Sequence, residues 1–244
     1  MQGETFGTRY DEVIASPRMQ QLYGESGYFN VGYWTAGETD LVAACDRMVD
    51  EVASAIAPDA RVILDVGCGL GAGTHRMGRR LPRATVIGAN LSLWQLRTTH
   101  RRGLPAVATD AARLGLASGS ADAVVALESA LHFNTRDAFF AEAFRVLRPG
   151  GVLTVADMLF RDADVIGPWM VPPANRITGL PEYEKHVRAA GFTVLSSRDV
   201  TNVTWKPFCD AMRSVYGGHE PALRAIADSV SQYVLVTARR PPFT

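Results

Sequence analysis

The feature that most constrains this chain is an apolar run, Val62-Ile63-Leu64-Asp65-Val66, that empties directly into Gly67-Cys68-Gly69-Leu70-Gly71-Ala72-Gly73. Such a run favours a strand covered on both faces, and closely spaced glycines let the backbone turn sharply and approach a ligand. A helix opening just after the turn presents unpaired N–H groups to that ligand. The spacing therefore predicts a strand, loop and helix around a nucleoside-like molecule. Gly67, Gly69 and Ala72 also satisfy the G-x-G-x-x-G/A dinucleotide fingerprint, so the loop alone leaves a nicotinamide or flavin cofactor open.

From residue 60 onward, short β-branched runs alternate with amphipathic stretches, the rhythm of βαβ units in a mostly parallel, doubly wound α/β sheet. Seven strands are expected, at residues 62–66, 85–89, 106–109, 123–127, 151–156, 193–197 and 233–237. Ahead of them Leu41, Cys45, Met48, Val49, Val52 and Ile56 recur at helical spacing behind the possible caps Thr39 and Asp40. Residues 27–34 are rich in large rings and read as a lid or pocket wall, or as an apolar anchor for the N-terminal arm. A proline-rich stretch at residues 158–181 interrupts the rhythm after the fifth strand, and such long insertions at strand ends are often functional. Residues 182–190 read as a helix stopped by Gly191. The expected division is an N-terminal helical lid over residues 1–58 and an α/β domain over 59–244.

Lys+Arg and Asp+Glu both total 25, so no basic surplus exists to neutralise a phosphate backbone, and nucleic acid is not an expected partner. The arginines at 97, 101 and 102, and at 79 and 80, read as solvated helix faces. No apolar run approaches the roughly 18 residues of a membrane span, and the first residues lack a signal-peptide pattern; a cytoplasmic monomer or homodimer is expected. Cys45, Cys68 and Cys209 lie far apart, without metal-ligand spacing, so no metal is expected.

Asp65-Val66-Gly67-Cys68-Gly69-Leu70-Gly71 resembles motif I of the class I S-adenosylmethionine-dependent methyltransferases. Three further matches follow in order: Val86 through Ser92 with Gln95, Thr109-Asp110-Ala111, and Arg145 through Gly151. The resemblance covers residues 60–157 and implies a Rossmann-like, seven-stranded fold with S-adenosylmethionine as cofactor. It implies cofactor contacts at Asp65, Gly67, Cys68, Gly69, Asn90, Leu91, Gln95, Asp110, Ala111 and Glu128. Family members usually carry Asp or Glu where this chain has Asn90, which keeps an acceptor for the ribose hydroxyls but removes the charge. Asp110 is placed to accept from the adenine amine. Asp65, costly to bury unpaired, is expected to meet loop N–H groups or the cofactor's ammonium.

A sulfonium methyl is already electrophilic, so such an enzyme must chiefly hold a nucleophile in line, with a base where the nucleophile is weakly acidic. His132 follows the fourth strand at the carboxyl edge of the sheet, where ligands bind in open α/β folds. Asp157 ends the neighbouring strand, one spacing of about 4.8 Å away, and is expected to orient His132 or to meet the substrate. The run Glu128-Ser129-Ala130-Leu131-His132 with Asp157 is similar to the subgroup that modifies sugars, polyketides, glycolipids and other secondary metabolites, several members of which methylate oxygen with a histidine base. Asn30-Val31-Gly32-Tyr33-Trp34 is similar to a segment of that subgroup whose tyrosine covers the cofactor, which implies that role for Tyr33. Tyr28, Trp169 and Met170 are the expected substrate contacts. The leading expectation is O-methylation of a small molecule; carbon or nitrogen methylation, a cofactor-binding pericyclase and a nicotinamide oxidoreductase are the alternatives.

Overall fold

In the computed structural model, which describes residues 2–216 and 221–242, three helices precede the sheet: α1 (Gln2–Ala15), α2 (Pro17–Tyr23) and α3 (Leu41–Ala53). There follow β1 (Val62–Val66), α4 (Ala72–Arg80), β2 (Thr85–Asn90), α5 (Leu93–Arg101), β3 (Ala106–Ala108), β4 (Ala121–Leu127) and α6 (Arg136–Val146). The chain continues through β5 (Leu147–Phe160), α7 (Leu180–Ala189), β6 (Thr193–Asp199), α8 (Trp205–Tyr216), α9 (Pro221–Ser229) and β7 (Val230–Arg239). One seven-stranded sheet runs β3-β2-β1-β4-β5-β7-β6. The first five strands are mutually parallel, and β7 runs antiparallel to both β5 and β6. Because β1 connects outward to β2 on one side and pairs with β4 on the other, a crevice opens beyond the carboxyl ends of these strands.

The period-2 alternation of the strands builds two cores. Ile63, Ala123, Val125 and Leu235 pack on one face with α3 and α8. Leu64, Val66, Val124, Ala126 and Val234 pack on the other with α6 and α7. Asp40 caps α3, accepting from the N–H groups of Val42 at 2.8 Å and Ala43 at 3.3 Å. The helix buries Leu41, Ala44, Cys45, Met48, Val49 and Val52 against the sheet and ends at Ala53, before the predicted Ile56. α7 starts at Leu180, two residues before its predicted start, with Pro181 in its first turn.

The insertion differs from expectation at its start. Residues 158–160 belong to β5, because β7 continues the antiparallel pairing as far as Phe160. Beyond them the chain is irregular apart from 3-10 turns at Ala163–Val165 and Pro173–Asn175. Among the described residues, no helix is long and apolar enough to cross a membrane.

Candidate active site

The crevice at the carboxyl ends of β1, β2 and β4 is roofed by α1 and by the insertion, enclosing a cavity of about 840 Å³. Gly67 has φ +79°, and a Cβ there would run into the side chain of Ser129, whose hydroxyl is held at 2.7 Å by the Val66 carbonyl. Gly69 has φ +55°, and a Cβ there would meet nothing within 4 Å, since it would enter the cavity. The loop is thus tight against protein at Gly67 and open toward a ligand at Gly69.

Asp65 lies at the cavity floor, 4 % exposed, with Oδ2 accepting the Thr74 hydroxyl at 2.6 Å. Thr74 comes from α4, so the protein partner is a helix hydroxyl and not the loop N–H groups that were one of the two expectations for this carboxyl. Burial pushes the Asp65 carboxyl up to about 6, the Thr74 bond opposing. Cys68 also lines the cavity, and burial raises its thiol to about 12, leaving it an inert wall.

At the end of β2, Asn90 donates from Nδ2 to Gln95 Oε1 at 2.9 Å and accepts the Ser92 N–H at 3.0 Å. Asn90, Leu91, Gln95, Asp110 and Ala111 all line the cavity. Asp110 accepts the Ala112 N–H at 2.8 Å, which fixes its turn. Glu128, at φ +51°, is buried, and its Oε1 accepts from the Val31 N–H at 2.8 Å and the Tyr233 hydroxyl at 2.7 Å. Burial outweighs those bonds and pushes its carboxyl up to about 7.

This donor set fits S-adenosylmethionine. The open side of Gly69, the carboxyls of Asp65 and Glu128 within one cavity, the polar pair Asn90 and Gln95, and Asp110 match the parts of an adenosyl amino acid.

His132 stands where β4 was expected to deliver it, lining the cavity. Its Nδ1 lies 2.7 Å from the Met170 carbonyl oxygen. A carbonyl only accepts, so Nδ1 carries the proton and Nε2 carries the lone pair. Phe6 and Tyr10 of α1 flank the ring, with centroids at 5.3 and 5.0 Å, and Trp169 lies 6.2 Å from Phe6. Burial in this aromatic box lowers the imidazole to about 4, so it stands neutral at pH 7.

Three expectations are corrected. Asp157 does not hydrogen-bond to His132. It is fully buried, its Oδ2 accepting from Arg136 Nε at 2.8 Å and the Tyr183 hydroxyl at 3.0 Å, its Oδ1 from the Met158 N–H at 2.9 Å. Arg136, itself 2 % exposed, enters from the start of α6 and claims the carboxylate. Tyr33 does not line the cavity: its N–H donates to the Ala44 carbonyl at 2.8 Å and its carbonyl accepts Arg47 Nε at 3.1 Å, tying it to α3. The aromatic residues of that segment on the cavity wall are Tyr28, whose hydroxyl donates to Asp46 at 2.5 Å, and Phe29, whose ring stacks on Tyr23. Met170 likewise lies off the cavity wall and meets His132 through its carbonyl, whereas Trp169 lines the wall.

Sequence reasoning expected a helical lid over residues 1–58 but named no residue of α1 as part of the site. Phe6, Tyr10 and Ile14 all line the cavity, and their spacing of four residues is a helical stripe that was there to be counted.

Known proteins resemble this chain in sequence and fold. A family model described as a methyltransferase domain matches residues 64–155. Erythromycin 3''-O-methyltransferase of Saccharopolyspora erythraea is 31 % identical, over 76 % of this chain and 68 % of its own. The 27-O-demethylrifamycin SV methyltransferase of Amycolatopsis mediterranei is 31 % identical over 91 % of this chain and 93 % of its own. Among solved structures, the [4+2]-cyclase SpnF superposes with a TM-score of 0.79 at 26 % identity, covering 98 % of this chain and 97 % of that one. A geranyl diphosphate methyltransferase, solved with geranyl diphosphate and sinefungin, superposes with a TM-score of 0.82 at 18 % identity, covering 98 % and 100 %. A likeness that runs nearly the length of both chains, on the sheet and loop described above, assigns this chain to the S-adenosylmethionine-dependent methyltransferases that act on small molecules.

Proposed function

We propose that the chain methylates a hydroxyl of a small secondary-metabolite or sugar-like acceptor, with His132 Nε2 as the general base. The observation that carries this reading is the bond from His132 Nδ1 to the Met170 carbonyl, which leaves Nε2 as an acceptor on the cavity wall. The O-methyltransferases among its relatives support oxygen over carbon or nitrogen.

Bound S-adenosylmethionine supplies an electrophilic methyl that an in-line nucleophile displaces from sulfur. His132 Nε2 accepts the acceptor's hydroxyl proton as the oxygen attacks, and the resulting imidazolium is held by its Nδ1–H bond to Met170. Phe6, Tyr10, Tyr28 and Trp169 form the acceptor's apolar walls and exclude water. Residues 1–58 act as the lid over the domain at 59–244, held shut by Arg102 Nη2 on the Ser26 carbonyl and by Arg76 Nη1 on Asp46, each at 3.1 Å.

The test is incubation with methyl-labelled S-adenosylmethionine and a panel of hydroxylated polyketide, macrolide and glycoside acceptors. Label on oxygen with equal release of S-adenosylhomocysteine is the expected result; label on carbon or nitrogen overturns it. A second reading, a cyclising enzyme that retains its cofactor intact, draws support from the 26 % likeness to a [4+2]-cyclase. Product formed without S-adenosylhomocysteine would establish that reading instead.

A further inference from the structure

The first helix sets a carboxylate against the back of the cofactor site's wall. Asp11, on α1, accepts the Ser92 hydroxyl proton on Oδ2 at 2.7 Å and a Gln95 Nε2 proton on Oδ1 at 2.6 Å. Gln95 Oε1 then accepts from Asn90 Nδ2 at 2.9 Å, and Asn90 Oδ1 accepts the Ser92 N–H at 3.0 Å. The Ser92 hydroxyl also accepts the Gln95 N–H at 3.1 Å as the cap of α5, so the ring of bonds closes on itself. Asp11 lies behind the cavity wall that Asn90, Ser92 and Gln95 form.

The direction of every bond in this ring follows from its ends. A carboxylate only accepts and a backbone N–H only donates. Asp11 therefore turns Gln95 Nε2 toward itself and Oε1 toward Asn90. That in turn sets Asn90 with Nδ2 on Gln95 and Oδ1 on Ser92. One lone pair of the Asn90 amide remains for a ligand, in a fixed orientation, while its second N–H faces the Cys68 sulfur.

We infer that Asp11 is a positioning residue for the cofactor's ribose, supplying from α1 the carboxylate that β2 lacks at Asn90. It rests on the cofactor assignment and is independent of which acceptor is methylated. A consequence is that cofactor affinity depends on α1 being docked, so the lid and the cofactor hold each other in place.

The chemistry of the ring gives a test that a merely structural carboxylate would not pass. Asp11→Asn leaves one oxygen where two donors need acceptors. Asn90→Asp in the wild-type background puts carboxylates on both sides of Gln95, whose amide nitrogen faces only one of them. Combining the two turns the Gln95 amide round, reversing its two side-chain bonds while the backbone N–H bonds keep their direction, and leaves each group paired: Ser92 and Gln95 again find acceptors, with the carboxylate now at position 90.

Calorimetric titration of the four proteins with S-adenosylhomocysteine, with melting temperatures alongside, reads this out. Each single variant is expected to weaken binding about tenfold, the scale of one hydrogen bond to a charged group, and the double variant to recover to within about threefold of wild type. Unchanged affinity in Asp11→Asn overturns the inference, as does a double variant no better than Asp11→Asn. A wild-type protein that fails to bind overturns the cofactor assignment and the inference with it; equal binding by wild type and Asp11→Asn overturns the inference alone.

Discussion

His132 Nδ1 and the carbonyl oxygen of Met170, 38 residues apart in the chain, lie 2.7 Å from each other. The insertion thus orients the candidate base through its backbone, the task that sequence reasoning gave to Asp157. His132→Ala is expected to lower kcat by about a hundred- to ten-thousandfold, the usual contribution of a general base, with S-adenosylhomocysteine affinity within about twofold of wild type. Unchanged turnover removes His132 from the mechanism.

The lowered imidazole gives that base its own pH signature. A histidine at the ordinary value near 6.5 loses its acceptor lone pair as pH falls through 6–7, whereas one at about 4 keeps it. The acid limb of kcat/KM belonging to His132 is expected below pH 5. It is best measured in the double variant Asp65→Asn, Glu128→Gln, where the two cavity carboxyls, at about 6 and about 7, no longer titrate. A limb centred at pH 6.5 in that variant would show that the ring is solvated rather than enclosed by Phe6 and Tyr10.

The pair Arg136 and Asp157 makes a prediction about stability. Both side chains are buried, and the carboxylate also satisfies the Tyr183 hydroxyl and the Met158 N–H. Asp157→Ala strands a buried guanidinium and is expected to cost about 3–5 kcal/mol in unfolding free energy. Retained stability in urea denaturation would show that water reaches Arg136.

Most of the sheet was legible because its parallel strands are apolar on both faces, as at Val62–Val66 and Ala121–Leu127. The run of β5 to Phe160 was not, since it depends on β7 lying antiparallel alongside, a pairing absent from local sequence. The same limit explains the site. Motif spacing placed Asp65, Gly69, Asn90, Asp110 and His132 around one cavity. It could show that Asp157 stands beside the fourth strand, but not that Arg136 arrives from the next helix to take it. Tyr28 and Tyr33 are five residues apart in one aromatic segment, and nothing local in the sequence tells that Tyr28 lines the cavity while Tyr33 is tied by its backbone to Ala44 and Arg47.

Glu128 couples folding to pH in a direction opposite to most carboxylates. Its folded value of about 7 lies above the unfolded value near 4.5, so between those limits the folded chain holds the extra proton, and stability falls as pH rises through the window. Glu128→Gln keeps Oε1 for Val31 and Tyr233 while removing the titration. The cofactor-free variant and wild type are expected to melt alike near pH 5, and the variant to melt at least about 2 °C higher at pH 8, given roughly 2–4 °C per kcal/mol for a chain of this size. A gap that does not change with pH would mean that Glu128 stays in one protonation state across the range.

The glycine loop separates ligand space from protein packing within two residues. At Gly67 a side chain collides with Ser129, so Gly67→Ala is expected to lower the melting temperature before it affects binding. At Gly69 the space is the cavity itself, and Gly69→Val adds a β-branched side chain there on a left-handed backbone, at a strain of about 1–3 kcal/mol. The folded variant is expected to lose S-adenosylhomocysteine binding in calorimetry while remaining cooperative in thermal unfolding. The contrast between neighbours carries the argument: if Gly69→Val bound normally and Gly67→Ala did not, the ligand would lie on the Ser129 side of the loop, and the open face of Gly69 would belong to solvent.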